Sequence, residues 1–253
     1  MLLVGVDGWS GRTVWVTDRD RSMFEWFSIV RIADVQSVRW VLAALNGVDR
    51  PVSVRRAQSW CARMEAAGLV ERAQLGGRGG ALVWGTYAGT GVTRPNLHRQ
   101  TTRHEVAVAA ASARYATAGY AWQRDEKPAH VGGHQADGVA LGFGWVELVE
   151  VELTPKRLPR YAAIFAAYRR RLDLGEADSI SYLCNKESER AVRAALGELP
   201  AGRSIAPQVG VRSMYDRTGI WVDETLPTWM MTARDRAQRS TRRPRRSSSA
   251  ALF

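Results

Sequence analysis

The alternation of apolar and polar residues after position 134 predicts a β-hairpin that leads into a helix. Its first strand covers 136–141 and its second 145–153, joined by a glycine-flanked turn at 142–144. The second strand places valines and a leucine on one face, and ends its other face in Glu150 and Glu152. A strand this apolar is expected at the centre of a sheet, covered on both faces.

Three carboxylates are predicted to meet at the end of this hairpin. A two-residue turn places Asp137 directly opposite Glu150, and Glu152 follows on the same face. Burying two carboxylates is costly unless a cation lies with them, and oxygen ligands suit a hard divalent ion. We therefore predict that Asp137, Glu150 and Glu152 bind Mg²⁺ or Mn²⁺. A solvated Glu-x-Glu strand face beside a turn aspartate is the alternative.

A basic segment follows the hairpin directly. Thr154 as N-cap and Pro155 as first residue predict a helix over 155–173, with an apolar face at helical spacing. The cations near its start would lie beside the carboxylates, where a phosphodiester needs them; they are Lys156, Arg157 and Arg160. Lys156 is one of three lysines among 36 basic residues. Lysine can act as a compact point charge or proton donor, where arginine cannot. The alternative is that lysine occurs at position 156 by chance.

This arrangement resembles the PD-(D/E)XK nuclease fold. In that family an aspartate at the end of one hairpin strand and a (D/E)-x-K triplet on the next hold one or two metals and an attacking water. The resemblance implies catalytic roles for Asp137, Glu150, Glu152 and Lys156. Glu152 departs from the pattern, because the family usually has lysine there, although some of its restriction endonucleases carry glutamate.

Residues 18–90 show helical periodicity followed by a strand pattern. Helices are predicted over 18–30, 34–45 and 53–68, then a hairpin with a glycine-rich tip at 76–80. This order looks like a winged helix-turn-helix, whose third helix enters the major groove and whose tip reaches phosphate or the minor groove. The predicted DNA contacts are Arg55, Arg56, Ser59, Arg63 and Arg78. A solvated helix face and a protein-docking module are the alternatives.

The remaining pattern predicts an α-β-β-β-α-β order after a loop at 88–96, which looks like a domain boundary. Beyond the hairpin and its helix, this order comprises a helix over 102–118 and strands over 120–124 and 179–185. A helix over 187–196 and a further strand over 203–215 follow. The order fits a nuclease-like core, so the predicted fold class is α+β or α/β. In that fold the first helix can contribute a carboxylate. The further candidate residues are Glu105, His104 and His134, each of which could instead be structural.

The predicted domains are therefore an N-terminal arm (1–17), a winged helix-turn-helix (18–90), a nuclease-like domain (97–231) and a tail (232–253). The tail holds seven arginines against one aspartate and almost no apolar residues, which predicts disorder and salt-sensitive DNA affinity. The whole chain carries a formal charge of +11, with a pI near 10.4, which favours a polyanionic partner, nucleic acid first.

Other features of the sequence argue against several classes of protein. Two cysteines are too few for a disulfide framework, and no spacing suggests zinc. No apolar run approaches a transmembrane length, and the N-terminus lacks the features of a secretory signal. These features predict a cytoplasmic protein that does not bind membranes, with a homodimer as a further possibility.

Several segments are similar to the replication-relaxation family. They are TDRD, RMEAAGLVER, RHEVAVAAA, HQADGV and VEVELTPKRLPRY, spread over roughly residues 16–185. Members of that family are bacterial, plasmid and phage proteins with a winged helix and a nuclease-like core, linked to plasmid replication and DNA relaxation. The resemblance implies DNA handling in a mobile element, with Mg²⁺-dependent nicking as one expected activity. The alternatives are a regulator or replication initiator whose core serves dimerisation, and an assembly adaptor that binds protein.

Overall fold

The computed structural model describes residues 4–7, 13–74, 80–97, 99–128, 132–142 and 144–230. The fold is mixed α and β, with one sheet that combines parallel and antiparallel strands. In chain order its elements are β1 (Val4–Asp7), β2 (Thr13–Val16), α1 (Asp18–Val30), β3 (Ala33–Asp34), α2 (Val35–Ala44), α3 (Val54–Ala66), β4 (Val70–Gln74), β5 (Ala81–Gly85), α4 (Tyr87–Thr90), α5 (Thr102–Thr117), β6 (Ala121–Gln123), β7 (Gly138–Gly142), β8 (Trp145–Glu152), α6 (Leu158–Asp173), β9 (Ser179–Asn185), α7 (Lys186–Glu198), α8 (Pro200–Ile205) and β10 (Val209–Tyr215). Arg78, Phe143 and the predicted tail lie outside the described residues.

The N-terminal helices are present within two residues of their predicted bounds. Each begins after a side chain that accepts a hydrogen bond from the first turn: Thr17 for α1, Asp34 for α2 and Ser53 for α3. The hairpin of β4 and β5 is also present, and β3 joins it in the order β3-β5-β4. The two-residue strand β3 was not predicted, because it forms only by pairing with a distant strand.

The larger sheet has the strand order β10-β9-β8-β7-β6. Strands β6, β7 and β8 run antiparallel, whereas β8, β9 and β10 are parallel. The register pairs Gly142 with Trp145, which confirms the predicted two-residue turn. Strand β8 is central, and its faces contribute to different apolar clusters. Val149 and Val151 pack with α5, while Leu148 packs with α6, as the alternation predicts.

The predicted start of α6 is wrong. The helix begins at Leu158 with Arg157 in the N-cap position, so Thr154 and Pro155 precede it. Pro159 explains the difference, because a proline five residues into a helix removes a backbone donor and clashes with the preceding turn. In the first turn of the observed helix the same proline is well tolerated. Lys156 therefore lies in the connection between β8 and α6. Residues 203–205, predicted to open a strand, belong to α8 instead.

The helical N-terminal segment and the larger sheet share one apolar cluster. Helix α5 lies between them: Trp26 donates its indole N–H to the Ser112 hydroxyl at 2.7 Å, and Thr117 donates to the backbone oxygen of Trp40 at 3.0 Å. Arg114, almost fully buried, stacks on the rings of Trp40 and Trp221. The segments on either side of the predicted boundary at 88–96 therefore depend on each other for burial. No helix in the described ranges is both long and apolar enough to cross a bilayer.

Two glycine substitutions are expected to change stability in opposite directions. A Cβ on Gly138 would lie 2.0 Å from the Trp122 ring, so Gly138→Ala should lower the free energy of unfolding by about 1–3 kcal/mol. A Cβ on Gly197 in α7 would meet nothing within 4 Å. Gly197→Ala should therefore raise the free energy of unfolding by roughly 0.5–1 kcal/mol. Urea denaturation measures both, and a Gly138→Ala variant as stable as the wild type would contradict the close packing.

Candidate active site

The three predicted carboxylates lie at one end of the β7–β8 hairpin. Asp137 immediately precedes β7, and the register that pairs Gly138 with Val149 places Asp137 opposite Glu150. Glu150 and Glu152 end β8, and both are buried, with 4% exposure each. We refer to Asp137, Glu150 and Glu152 as the acidic cluster. Their charges are close enough for Asp137 to disfavour ionisation of both glutamates.

Asp137 is held by groups from two elements. Its Oδ2 accepts the backbone N–H of Val151 at 2.8 Å, and its Oδ1 lies 2.8 Å from Nε2 of His104 in the first turn of α5. Burial by itself would lower the pKa of His104, but the hydrogen bond and the negative charge of Asp137 outweigh it and raise that pKa. His104, a candidate from the sequence, is therefore brought into contact with the cluster and favours its protonated form.

Glu150 is the most enclosed member of the cluster. Its Oε1 accepts a hydrogen bond from the hydroxyl of Tyr168 on α6 and lies 2.5 Å from Nε2 of His134. Burial raises the pKa of Glu150, repulsion by Asp137 raises it further, and the bonds from His134 and Tyr168 offset this only in part. Glu150 therefore takes up a proton more readily than an ordinary glutamate.

Glu152 pairs with the lysine singled out by the sequence. The ammonium group of Lys156 contacts Oε2 of Glu152, and the backbone N–H of Lys156 donates to the hydroxyl of Tyr161 at 3.1 Å. Burial raises the pKa of Glu152, while Lys156 acts in the opposite direction. Lys156 thus reaches the end of β8 from the connecting segment, with its side chain 30% exposed.

The cluster has the right ligand atoms for a hard divalent cation, but in the observed arrangement internal donors occupy them. Carboxylate oxygens are the ligands that Mg²⁺ and Mn²⁺ prefer. Within the described ranges, however, no three His, Cys, Asp or Glu side chains are grouped so that they could hold a metal ion. Each carboxylate instead contacts an internal donor, namely His104, His134 or Lys156. A cation could bind only after some of these contacts opened.

The other predicted residues near the cluster are more exposed. Arg157 and Arg160 lie at the exposed start of α6, and Glu105 is half-buried in the first turn of α5. Two neighbouring residues were not predicted. Tyr168 falls on the apolar face of the predicted helix by its spacing, yet its buried hydroxyl needs a partner and finds it in Glu150. Arg124 lies close enough for Asp137 and Glu105 to affect its ionisation, and no local signal identified it.

The predicted DNA-contacting residues of α3 differ in exposure and in bonding. Arg55, Arg56 and Ser59 are exposed and line a groove of about 370 Å³. Arg63 lines the same groove but donates to the Asp20 carboxylate at 2.6 Å and to the backbone oxygen of Trp15 at 2.8 Å. Arg63 therefore joins α3 to α1 and β2, while its neighbours present their charge to solvent.

No protein-family model, curated protein or solved structure matches this chain. Its function is therefore inferred from the geometry and chemistry of its own residues.

Replacing Glu150 with glutamine is expected to raise the free energy of unfolding by about 1 kcal/mol at neutral pH. Glutamine keeps an oxygen that can accept the Tyr168 hydroxyl, but it carries no charge for burial and Asp137 to oppose. Because the native pKa of Glu150 is raised, its contribution to stability is lost as the pH rises from the ordinary value of 4.5 through the native value.

The gain in free energy of unfolding from Glu150→Gln should therefore grow above pH 4.5 and vanish below it. Urea denaturation in EDTA across this range measures the difference. Glu198→Gln, at an exposed position of α7, is the matched control and should show no such pH dependence. Destabilisation by Glu150→Gln at neutral pH would mean that the ion pair with His134 outweighs the cost of burial.

Proposed function

We propose that the protein binds duplex DNA through α3 and the β4–β5 hairpin, and that the acidic cluster nicks or cleaves the bound DNA in the presence of Mg²⁺ or Mn²⁺. The observation that carries this proposal is the meeting of Asp137, Glu150 and Glu152 at one sheet end, with the Lys156 ammonium against Glu152. The α-β-β-β-α-β order of α5 to β9 supports it, because this order fits a PD-(D/E)XK core. Mobile-element replication or DNA relaxation is the setting that the family resemblance implies.

The order of the N-terminal elements supports the DNA-binding part of the proposal. A helix, a short strand, two helices and a hairpin, with the short strand paired at the edge of the hairpin, are typical of a winged helix-turn-helix. In such a module the third helix meets the major groove, and here α3 exposes Arg55 and Arg56. Exposed arginines suit contacts with phosphates and with base edges.

The residues around the cluster suit contact with a phosphodiester. Lys156 carries a partly exposed positive charge beside Glu152, where it could steady a phosphate oxygen. Arg157 and Arg160 are exposed at the start of α6 and could hold neighbouring phosphates. A bound divalent cation would supply water activation and charge neutralisation. In this proposal its ligands would come from the acidic cluster.

A second candidate is a DNA-binding regulator or replication initiator whose core does not cut. The internal pairing of all three carboxylates favours it, because His104, His134 and Lys156 already satisfy the groups that a metal would need. In that case the nuclease-like core would serve association between copies of the chain.

A plasmid assay distinguishes the two candidates. Supercoiled plasmid is incubated with the full chain in Mg²⁺, in Mn²⁺ and in EDTA, and a labelled duplex is tested by gel shift in parallel. Conversion to nicked circles with either metal, but not in EDTA, supports cleavage. Intact supercoils together with a tight, sequence-specific gel shift support the regulator, and no DNA binding at all would contradict both.

The exposed arginines of α3 are expected to contribute to DNA affinity. Arg55→Ala and Arg56→Ala should each weaken binding and reduce the slope of log K against log salt by about 0.9, because each removes one phosphate contact. Fluorescence anisotropy in EDTA across a salt series measures this. Arg190→Ala, at an exposed position on α7, is the control. DNA affinity unchanged in both α3 variants would favour a protein-docking role for this module.

A further inference from the structure

Two arginines from distant parts of the chain meet at the C-terminal end of α1. Arg31 directly follows α1, and its Nη2 donates to the backbone oxygen of Thr93 at 3.2 Å. Arg124 follows β6, and its Nε donates to the backbone oxygen of Ile29, in the last turn of α1, at 2.5 Å. Arg124 therefore contacts the last turn of α1 two residues before Arg31, and each guanidinium group is held by a backbone acceptor.

The backbone of Arg31 adopts an unusual conformation. Its φ of 71° and ψ of −37° lie in a region that side-chain-bearing residues rarely occupy, and no other non-glycine residue in the described ranges has a positive φ. Glycine is the residue that ends helices in this way without steric cost. A strained position filled by a long charged side chain indicates that the side chain itself has a role.

Arg124 connects this helix end to the start of β7, because β6 ends in the pairing of Gln123 with Val139 and Asp137 directly precedes β7. Partial burial and the positive charge of Arg31 lower the pKa of Arg124, while the carboxylates of Glu105 and Asp137 raise it. The two guanidinium groups repel each other, and an anion between them would relieve that repulsion. Among the described residues, the terminal nitrogens of Arg124 have no hydrogen-bond or ion-pair partner, and its side chain is exposed. This arrangement suits an incoming anion.

We propose that Arg31 and Arg124 clamp one phosphate of the DNA strand that reaches the acidic cluster, a role that rests on the function proposed above. Guanidinium groups bind phosphate oxygens through paired, charge-assisted hydrogen bonds, and the carbonyl contacts of both arginines fix their directions in advance. The clamp lies where Arg124 joins the last turn of α1 to the start of β7. It would position the backbone at the cluster while α3 holds the duplex.

The test compares DNA binding with folding in the same variants. Duplex affinity is measured by fluorescence anisotropy in EDTA across a salt series for Arg31→Gly, Arg124→Gln and the double variant. Each single variant should bind several-fold more weakly but keep most of the salt slope, because the remaining arginine still contacts the same phosphate. The double variant should lower the slope by about 0.9, the value for one phosphate. Arg31→Gly should also melt at the same or a higher temperature, since glycine suits the positive φ.

Three other results would contradict the clamp, and one of them would also contradict the proposed function. If the wild-type protein binds DNA and the double variant binds it with unchanged affinity and slope, the clamp is wrong while the proposed function stands. A slope loss of about 1.8 in the double variant would indicate two separate phosphates and would overturn the single clamp. Absence of DNA binding by the wild-type protein would overturn both proposals. Arg190→Ala again serves as the control, with wild-type affinity expected.

Discussion

Replacing Asp137 with alanine is expected to reduce metal-dependent nicking by roughly 100-fold or more, while DNA binding in EDTA persists. Asp137 is the member of the acidic cluster that faces both glutamates and also contacts His104, so its loss removes the charge at the centre of the site. Nicked circles formed from supercoiled plasmid in Mg²⁺ or Mn²⁺ give the rate, and gel shift gives the binding.

A second variant separates chemistry from folding. Asp137→Asn keeps an oxygen that can accept the Val151 N–H, so it should fold like the wild type yet lose nicking to a similar extent. Asp173→Ala removes an exposed carboxylate at the end of α6 and should nick normally. Wild-type nicking by both Asp137 variants would show that cleavage occurs elsewhere.

Replacing Asp20 with alanine is expected to lower the free energy of unfolding by about 3–5 kcal/mol. Asp20 is fully buried and accepts hydrogen bonds from the Trp60 indole at 2.8 Å, from Arg63 at 2.6 Å and from the Thr17 backbone N–H at 2.9 Å. Alanine leaves these donors without that acceptor and removes the hydrogen bonds that join α1 to α3. Urea denaturation followed by tryptophan fluorescence measures the change.

The pH dependence of this contribution has a definite sign. Burial alone would raise the pKa of Asp20, but the bonds from Arg63, Thr17 and Trp60 together lower it below the usual 3.8. The stabilisation is therefore complete above pH 3.8 and is lost as the pH falls through the lower native pKa. Asp18→Ala is the control, because Asp18 is 63% exposed in a surface ion pair; it should cost no more than about 0.5 kcal/mol. Equal effects of the two substitutions would contradict this account of Asp20.

The predictions that succeeded depended on local patterns. Alternation in β8 assigned Leu148 and Val149 to opposite faces, and the glycine-flanked turn fixed the register of the hairpin. The start of α6 was predicted wrongly because Thr154-Pro155 and Arg157-Leu158-Pro159 are both acceptable helix starts. Only the second avoids a proline inside the helix.

The candidate site could be predicted only as a set of carboxylates. Nothing near Glu150 in the sequence shows that Tyr168 and His134 contact it, or that His104 contacts Asp137. Likewise Arg63 belongs to the exposed face of α3 by its spacing, yet it bonds to Asp20 on α1. Such pairs join residues on different elements, and spacing along the chain carries no information about them.

The amino-acid sequence by itself determined the elements, the alternation and turn of the hairpin, and the placement of three carboxylates at its end. These features follow from steric and hydrogen-bonding preferences that act within a few residues. Only the tertiary structure decided that the helical segment and the sheet share one core, that each carboxylate has a cationic or hydroxyl partner, and that Arg124 contacts the last turn of α1 near Arg31. Burial and charge act between residues that folding brings together, so these interactions exist only in the folded chain.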